Sequence, residues 1–361
     1  MSHTYHLAVL PGDGIGPEVM YQALRVLDAL SQHLPISFAY QTYPIGGTAI
    51  DAYQNPLPEE TLAGCQEADA VLLGAVGGPA WDHLPTPERP EAGLLKLRQA
   101  LGLYANLRPV RVPDTLAHLS PLRPEHIEGT DLLIIRELTG GIYFGRPRGQ
   151  SSEEGYNTMR YQRTEVERIA HIAFQYAQRR RGKVTSVDKA NVLEVSQFWR
   201  HVVSEIHQTH YPEITLEHLY VDNAAMQLSL NPKAFDVILT GNLFGDILSD
   251  AAAALSGSLG MLPSASLGDR TGLFEPVHGS APDLVGTGKA NPMAMILSTA
   301  MMLDALEEEE AAQLLRHAIF QTIHEGILTP DLQTADIPSH TMDEVTDTII
   351  HHLKHLNPTA V

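Results

Sequence analysis

Cysteine, aromatic residues and positive charge are all scarce in this chain of 361 residues. The single cysteine, Cys65, excludes an internal disulfide, and no second cysteine joins it at the spacing of a zinc site. One thiol in so long a chain is typical of a reducing compartment and predicts a cytoplasmic protein. No apolar run approaches the ~18 residues that a spanning helix needs, and the first residues lack the regions of a secretion signal. We therefore expect neither a membrane protein nor a secreted scaffold.

The charge balance limits the kinds of partner. Lysine and arginine number 24 against 43 aspartates and glutamates, which gives a formal net charge of −19. Such a field repels polyanions and excludes nucleic acid as a partner. Hydrophobic residues make up 43% of the chain, an ordinary globular value that excludes wholesale disorder. At a typical ~150 residues per domain, the length predicts two domains.

Short runs rich in valine, isoleucine and leucine alternate along the chain with segments of helical spacing. Continuous apolar strands separated by helices predict an α/β fold with sheets covered on both faces. Residues 146–156 are polar and glycine-rich, so we expect an exposed loop or arm there. The predicted strands contain Leu7–Leu10, Ala70–Leu73, Leu132–Ile135, Val184–Val187, Leu219–Val221 and Val237–Leu239.

Two glycine-rich turns resemble nucleotide-binding motifs without meeting their requirements. After the first strand, Pro17 stands where the pattern G-x-G-x-x-G needs its last glycine. In Gly286–Lys289, Asp283 occupies the position of the first glycine of a phosphate loop, and Ala290 replaces its serine or threonine. We therefore expect no Rossmann fold, and any bound nucleotide must use another device.

Three arginines stand out in this acidic chain. Arg98 and Arg108 lie in mixed segments, and Arg136 directly ends a predicted buried strand. A buried arginine needs an anionic partner. One interpretation is an internal salt bridge, for example between Arg136 and Glu137. The other is that the three arginines converge on one small dicarboxylate, since each can bind a carboxylate through two parallel hydrogen bonds.

Three aspartates form a candidate metal site. Asp246 and Asp250 are four residues apart, which places both carboxylates on one face of a helix. A divalent cation would cancel their repulsion, and carboxylate oxygens suit Mg²⁺ or Mn²⁺. Asp222, predicted to end a strand, is a third candidate ligand. The alternative is that Asp246 merely caps its helix.

Lys189 and Tyr143 are candidates for proton transfer. Lys189 follows a predicted strand, and a lysine near a metal and arginines has its protonated form disfavoured, which suits a general base. A tyrosine beside it can act as an acid. The alternatives are a surface lysine and a packed aromatic ring.

Five motifs in the same order resemble the isocitrate/isopropylmalate family of metal-dependent β-decarboxylating dehydrogenases over nearly the whole chain. These motifs are Leu10–Glu18, Arg136–Gly145, Ser186–Asn191, Asn242–Asp250 and Glu275–Asp283. The resemblance implies two α/β domains formed by an interrupted chain, without a Rossmann fold. The first, nucleotide-associated domain would be 1–100 with 253–361, and 101–252 would be the second, with a dimer interface and an arm.

The resemblance also implies a role for each matching residue. Arg98, Arg108 and Arg136 would bind the malate carboxylates, and Asp222, Asp246 and Asp250 the metal, with Asp222 also close to the substrate. Lys189 would be the base for the hydroxyl group and Tyr143 the acid that protonates carbon 3. In a homodimer with shared active sites, Lys189 and Asp222 would come from one subunit and the other residues from its partner.

Substrate and coenzyme are implied in the same way. The expected reaction is oxidative decarboxylation of 3-isopropylmalate with NAD, in leucine biosynthesis; homoisocitrate, isocitrate or tartrate is the alternative substrate. Leu94 and Leu95, with Val192 opposite, would meet the isopropyl group, although both leucines could be plain core. Asp283 would bind the ribose hydroxyls and repel a 2′-phosphate, which favours NAD over NADP. The implied cofactor-binding residues are Gly78, Glu91, Glu275, His278, Gly279, Ser280, Ala281, Asp283 and Asn291.

A rival from another class is a two-domain protein that only binds small anions. The lysine, the tyrosine and the three aspartates count against it, because a binding protein would not need them. An oxidation, in contrast, needs a base and a hydride acceptor that side chains cannot supply, which implies a nicotinamide.

Overall fold

The structure is a computed structural model that describes residues 3–333 and 338–355. The predicted first domain therefore includes residues 1–2, 334–337 and 356–361, which lie outside the described ranges. The strands are β1 (His3–Gly12), β2 (Ile36–Thr42), β3 (Ala70–Ala75), β4 (Ala105–Arg111), β5 (Asp131–Glu137), β6 (Gly149–Gln150), β7 (Gly155–Tyr156), β8 (Lys183–Asp188), β9 (Thr215–Tyr220), β10 (Val237–Thr240), β11 (Pro263–Leu267) and β12 (Gly272–Pro276). The helices are α1 (Gly16–Ser31), α2 (Gly47–Tyr53), α3 (Glu59–Glu67), α4 (Pro90–Ala100), α5 (Pro124–Ile127), α6 (Arg163–Gln178), α7 (Glu194–His210), α8 (Val221–Leu230), α9 (Asn242–Ala253), α10 (Met293–Ala305), α11 (Glu309–His324) and α12 (Met342–His355).

The chain divides into two compact units. Unit 1 comprises residues 1–103 and 258–361, and unit 2 comprises residues 104–257. The sequence placed these boundaries at residues 100 and 252. Among the described residues, no helix is both long and apolar enough to cross a bilayer.

Unit 1 contains the strand order β2-β1-β3-β12-β11. Its pairs are parallel except for β11 with β12. All six residues of β3 are buried, because α1 and α10 pack against this part of the sheet. The strand is apolar along its length because helices cover it.

Unit 2 contains the strand order β4-β5-β10-β8-β9, in which only β4 with β5 is antiparallel. The carboxyl ends of β5, β8, β9 and β10 consequently lie at one edge of the sheet. In α/β proteins this edge is where ligands bind. Arg136, Lys189 and Asp222 each lie within two residues of one of these ends. The predicted α/β class is confirmed.

The strand predictions differ from the structure in two ways. β9 ends at Tyr220, so Asp222 is the second residue of α8 and does not end a strand. Strands β2, β4, β11 and β12 were not among the predicted strands; β2, for example, has a single buried residue, Ile36. In the predicted exposed segment 146–156, β6 and β7 form a small antiparallel hairpin with exposed residues, including Tyr156.

Candidate active site

Arg136 lies at the carboxyl end of β5 and is 7% exposed. Its guanidinium forms an ion pair with Asp246 on α9. Glu137 points to the opposite face of the strand, where its carboxylate is 3.5 Å from the guanidinium of Arg168. The alternative pairing of Arg136 with Glu137 is therefore wrong, and the arginine faces the candidate site.

Arg108, on β4, neutralises the second aspartate of the pair. Its Nη1 donates to Asp250 Oδ1 at 3.2 Å and to Ser249 Oγ at 2.8 Å. Asp246 is the fifth residue of α9, and Gly241 occupies the N-cap, so the capping role for Asp246 is wrong. The two aspartates lie one turn apart on α9, and the two arginines offset their mutual repulsion.

Tyr143 joins the same cluster. Its hydroxyl donates to Asp246 Oδ2 at 2.8 Å, and the guanidinium of Arg136 is 5.9 Å from the centre of its ring. Burial and the hydrogen bond to Asp246 raise the pKa of Tyr143, so the hydroxyl keeps its proton. Asp246 is thus bound by a substrate-binding candidate and an acid candidate together.

A tight glycine-rich turn delivers Tyr143 to this position. The ring of Tyr161 packs so closely that a Cβ at Gly140 would be 2.7 Å from Cε1. Gly141, at φ +76°, and Gly241 also approach the hydroxyl of Tyr161. Side chains at Gly140 and Gly141 would displace the turn, which explains their place in the motif Arg136–Gly145.

Lys189 and Asp222 form a second cluster. Lys189 follows β8, and its Nζ donates to Asp222 Oδ1 at 2.5 Å. This hydrogen bond lowers the pKa of Asp222, whose carboxylate therefore stays ionised. The ring of Tyr220 lies near this amine, with its centre 6.0 Å from Lys189 Nζ. Tyr143 bonds to Asp246, and its place beside Lys189 stays a prediction.

The three predicted metal ligands are thus divided between two clusters. Within residues 3–333 and 338–355, no group of three or more histidine, cysteine, aspartate or glutamate side chains is close enough to hold a metal. Asp246 and Asp250 share a helix face, while Asp222 contacts Lys189. Completion of the set by a second chain stays a prediction.

Two residues that support the site had no assigned role in the sequence interpretation. Asn242 contacts Arg136, and Gly245 leaves room for it: a Cβ at position 245 would be 2.6 Å from Arg136 Cγ. Glycine weakens a helix interior by ~1 kcal/mol relative to alanine, so its presence in α9 was the available indication of a close approach.

In unit 1, Arg98 forms an ion pair with Glu275, which is 8% exposed. Leu94 is partly buried against the core cluster that contains Leu97, whereas Leu95 is 53% exposed. The alternative that both leucines are plain core is therefore wrong for Leu95. In unit 2, Val192 is 62% exposed.

The candidate nucleotide loop of unit 1 packs against the glycine turn that follows β1. The backbone N–H of Ile15 donates to the carbonyl of Ser280 at 2.8 Å. Gly14, at φ +57°, approaches Ser280 so closely that a Cβ would overlap its carbonyl oxygen. Next to it, Ala281 also has a positive φ, of 37°. The turn that fails the Rossmann pattern therefore supports this loop.

The remaining cofactor candidates lie around that loop and near β3. Nε2 of His278 is buried without a partner among the described residues, and burial lowers the pKa of this imidazole, which favours its neutral form. Asn291 donates to Asp331 at 3.0 Å and accepts from the N–H of Met293.

A Cβ at Gly279 would meet nothing within 4 Å, and Asp283 is exposed. Gly78 has φ +154°, and Glu91, in the first turn of α4, lies against Gly77.

The two α/β units and the polar clusters at the carboxyl edge of the sheet are those of an α/β enzyme. A profile of the isocitrate/isopropylmalate dehydrogenase family matches residues 6–349. The chain belongs to this family, as its motifs predicted.

Relatives and solved structures agree with this assignment. The chain is 55% identical over 357 residues to 3-isopropylmalate dehydrogenase of Aquifex aeolicus, covering 98% of both chains. It is 59% identical over 331 residues to the enzyme of the same name from Salinibacter ruber, covering 92% of this chain and 90% of that one. The structure matches isocitrate dehydrogenase of Methylococcus capsulatus with TM-score 0.84 at 34% identity, covering 97% and 99%. A β-decarboxylating dehydrogenase of Thermococcus kodakarensis matches with TM-score 0.80 at 37% identity, covering 97% and 96%.

Proposed function

We propose that this chain catalyses the oxidative decarboxylation of (2R,3S)-3-isopropylmalate to 4-methyl-2-oxopentanoate, with CO₂ and NADH as the other products. The observation that carries the proposal is the 55% identity with the Aquifex aeolicus 3-isopropylmalate dehydrogenase over 98% of both chains. The reaction would serve leucine biosynthesis, in the cytoplasm. The exposed side chain of Leu95 supports an alkyl substrate, because it offers apolar contact where a third carboxylate would be left without a partner.

The chain's own residues supply binding and proton transfer. Arg98, Arg108 and Arg136 bind the substrate carboxylates through paired hydrogen bonds. Lys189 receives the hydroxyl proton at Nζ, and Asp222 orients this amine through its hydrogen bond. Tyr143 gives its hydroxyl proton to carbon 3 after CO₂ is lost. The raised pKa of Tyr143 supports this last role, because the proton is present when it is needed.

The residues fit both cofactors of the family. Asp246 and Asp250 present hard oxygen ligands one turn apart, and the Asp250 side chain is 72% exposed and accessible to Mg²⁺ or Mn²⁺. In unit 1, the buried and unpartnered Nε2 of His278 leaves an acceptor for the adenosine part of NAD. When bound, the metal would supply Lewis-acid polarisation and NAD the hydride acceptor. The carboxylate of Asp283 favours NAD, since it repels a 2′-phosphate.

The active unit in this proposal is a homodimer with shared sites. Met226 and Leu230 on α8 and Ile247 on the neighbouring α9 are each more than half exposed, which supports an apolar interface with a second copy. Two-fold symmetry would bring Lys189 and Asp222 of one subunit to the aspartate pair of the other. In this assignment unit 1 is the nucleotide-associated domain, and unit 2 carries the dimer interface and the arm.

The test is the appearance of NADH absorbance at 340 nm when 3-isopropylmalate, NAD and Mg²⁺ are supplied. Isocitrate, homoisocitrate and tartrate serve as competing substrates. We expect kcat/KM to be highest for 3-isopropylmalate, activity to disappear after chelation, and Mg²⁺ or Mn²⁺ to restore it. A higher kcat/KM for another acid would assign the chain to that substrate, and full activity after verified metal removal would reject the metal.

A further inference from the structure

Asn242 connects two parts of the candidate active site through one side chain. It is the first residue of α9 and is 1% exposed. Its Oδ1 accepts hydrogen bonds from Arg136 Nε at 3.1 Å and from Arg136 Nη2 at 2.8 Å. Its Nδ2 donates to the carbonyls of Leu138 at 3.1 Å and Gly140 at 3.3 Å. Both acceptor sites and both donor hydrogens of the amide are therefore used.

The chemistry of the partners fixes the orientation of this amide. A guanidinium can only donate and a carbonyl can only accept, so the oxygen must face Arg136 and the nitrogen must face the turn. The backbone N–H of Asn242 also donates to the hydroxyl of Tyr161 at 2.7 Å. Since the residue is held at three places, its side chain is a rigid link.

The link joins a substrate-binding group to the proton donor. Arg136 lies at one end of the amide. At the other end, Gly140 directly precedes the 3₁₀ turn Gly141–Tyr143, whose last residue is the candidate acid. Loss of the amide therefore removes a contact from the guanidinium and a contact from the turn that precedes the tyrosine.

We propose that Asn242 is a positioning residue that sets the guanidinium of Arg136 and the hydroxyl of Tyr143 at a fixed separation. This inference rests on the proposed function, in which these groups bind the substrate carboxylate and protonate carbon 3. A neutral amide suits the task, because a carboxylate at position 242 would compete with the substrate for Arg136. Its second oxygen would also face two carbonyl oxygens in a buried place.

The first test is steady-state kinetics of Asn242→Ala, with Thr240→Val as the matched control. Thr240 is equally buried at the end of β10 and lies opposite Arg136 in the β5–β10 register, but its hydroxyl donates to the carbonyl of Val187 on β8. Loss of two hydrogen bonds to a charged group should raise KM for 3-isopropylmalate about tenfold or more. Displacement of Tyr143 should lower kcat as well, whereas KM for NAD should stay within about twofold. We expect Thr240→Val to change none of these parameters.

A double-mutant cycle separates positioning from a general effect on folding. Arg136→Lys keeps the charge, but an ammonium cannot donate two parallel hydrogen bonds to the Asn242 amide oxygen as the guanidinium does. If Asn242 acts on the substrate through Arg136, Asn242→Ala should change KM for 3-isopropylmalate less than about threefold in the Arg136→Lys background. A full additional increase in that background would overturn the proposal, as would an unchanged KM in the single variant.

A second variant and the wild-type turnover make the result interpretable in every case. If Asn242→Ala does not fold, Asn242→Ser carries the same cycle, because serine keeps a hydrogen-bonding group at this buried position but is too short to reach Arg136. Wild-type enzyme without turnover of 3-isopropylmalate would reject the proposed function. Normal wild-type turnover with an additive cycle would reject the role of Asn242 alone.

Discussion

Tyr143 is partly exposed, and its hydroxyl is held by a carboxylate, an arrangement suited to a proton donor at a site open to substrate. We expect Tyr143→Phe to lower kcat by ~10²-fold or more, since general acid catalysis contributes about that much. KM for NAD should not change, because the ring remains. In a single turnover, NADH should still form while release of 4-methyl-2-oxopentanoate slows. Tyr156→Phe, on the exposed hairpin, is the control and should behave as wild type; equal kinetics for both variants would contradict the assignment of the acid.

The two adjacent leucines on α4 differ in their surroundings, which allows their roles to be separated. We expect Leu95→Ser to leave the free energy of unfolding within ~0.5 kcal/mol, because the side chain is mostly exposed. It should reduce kcat/KM for 3-isopropylmalate relative to malate, which has no alkyl group. Leu94→Ser should destabilise the protein by ~1–3 kcal/mol, since Leu94 packs on the core. Urea unfolding and paired substrate kinetics check both expectations, and an unchanged substrate ratio in both variants would remove the leucines from the substrate pocket.

At the scale of elements, one buried carboxylate ties three segments of unit 1 together. Asp13, in the turn after β1, is 3% exposed. It accepts from the N–H groups of Gly47, Thr48 and Gly77, each at 2.8 Å, and from the Thr48 hydroxyl at 2.6 Å. These donors begin α2 and follow β3, so the carboxylate fixes both against the turn.

Asp13→Ala should therefore lower the free energy of unfolding by about 3–6 kcal/mol, because several buried donors lose their acceptor at ~1–3 kcal/mol each. Asp69→Ala is the control: Asp69 accepts an exposed N–H from His6, and its loss should cost less than ~1 kcal/mol. Urea denaturation measures both values. Similar losses for the two variants would show that the segments are held by other contacts.

The sequence predicted elements where local pattern and tertiary burial agree. Continuous apolar runs located β3, β5, β8 and β10, because strands covered on both faces need such runs. β9 was misplaced by one residue at its end, since Val221 fits a strand by composition but begins α8. The i, i+4 spacing correctly placed Asp246 and Asp250 on one helix face.

What the sequence could not predict are contacts between distant elements. The arginine partners of the two aspartates are 110 and 142 positions away along the chain, and no local pattern specifies them. The place of Asn242 between Arg136 and the turn before Tyr143 likewise depends on how β5 and β10 pair. The motif identified the residue types, and the sheet register decides which of them meet.

At the scale of the whole molecule, the separation of Lys189–Asp222 from Arg136–Asp246 leads to a complementation experiment. Lys189→Ala and Asp246→Asn homodimers should each be nearly inactive. When the two variants are unfolded and refolded together in equal amounts, random pairing makes about half of the dimers mixed. Each mixed dimer would contain one intact site, so activity should recover to roughly a quarter of wild type.

The control combines two substitutions in the same cluster, the one that a single subunit would contribute to each shared site. Lys189→Ala mixed with Asp222→Asn should give no recovery, because every site in a mixed dimer receives one damaged cluster. If each chain built its site alone, neither mixture would recover. Activity near zero in the first mixture, with mixed dimers demonstrated by mass, would reject the shared site.

Unit 1 is formed by both ends of the chain, and this has a consequence during synthesis. Strand β12 pairs with β3, yet it emerges from the ribosome only after all of unit 2. At ~5–20 residues per second, the apolar edge of β3 waits for its partner for roughly ten to forty seconds. Unit 2, by contrast, is continuous and can fold as soon as it is complete. A nascent chain whose residues up to 257 have all left the ribosome should therefore hold a folded unit 2 and an open, chaperone-binding β1–β3 segment.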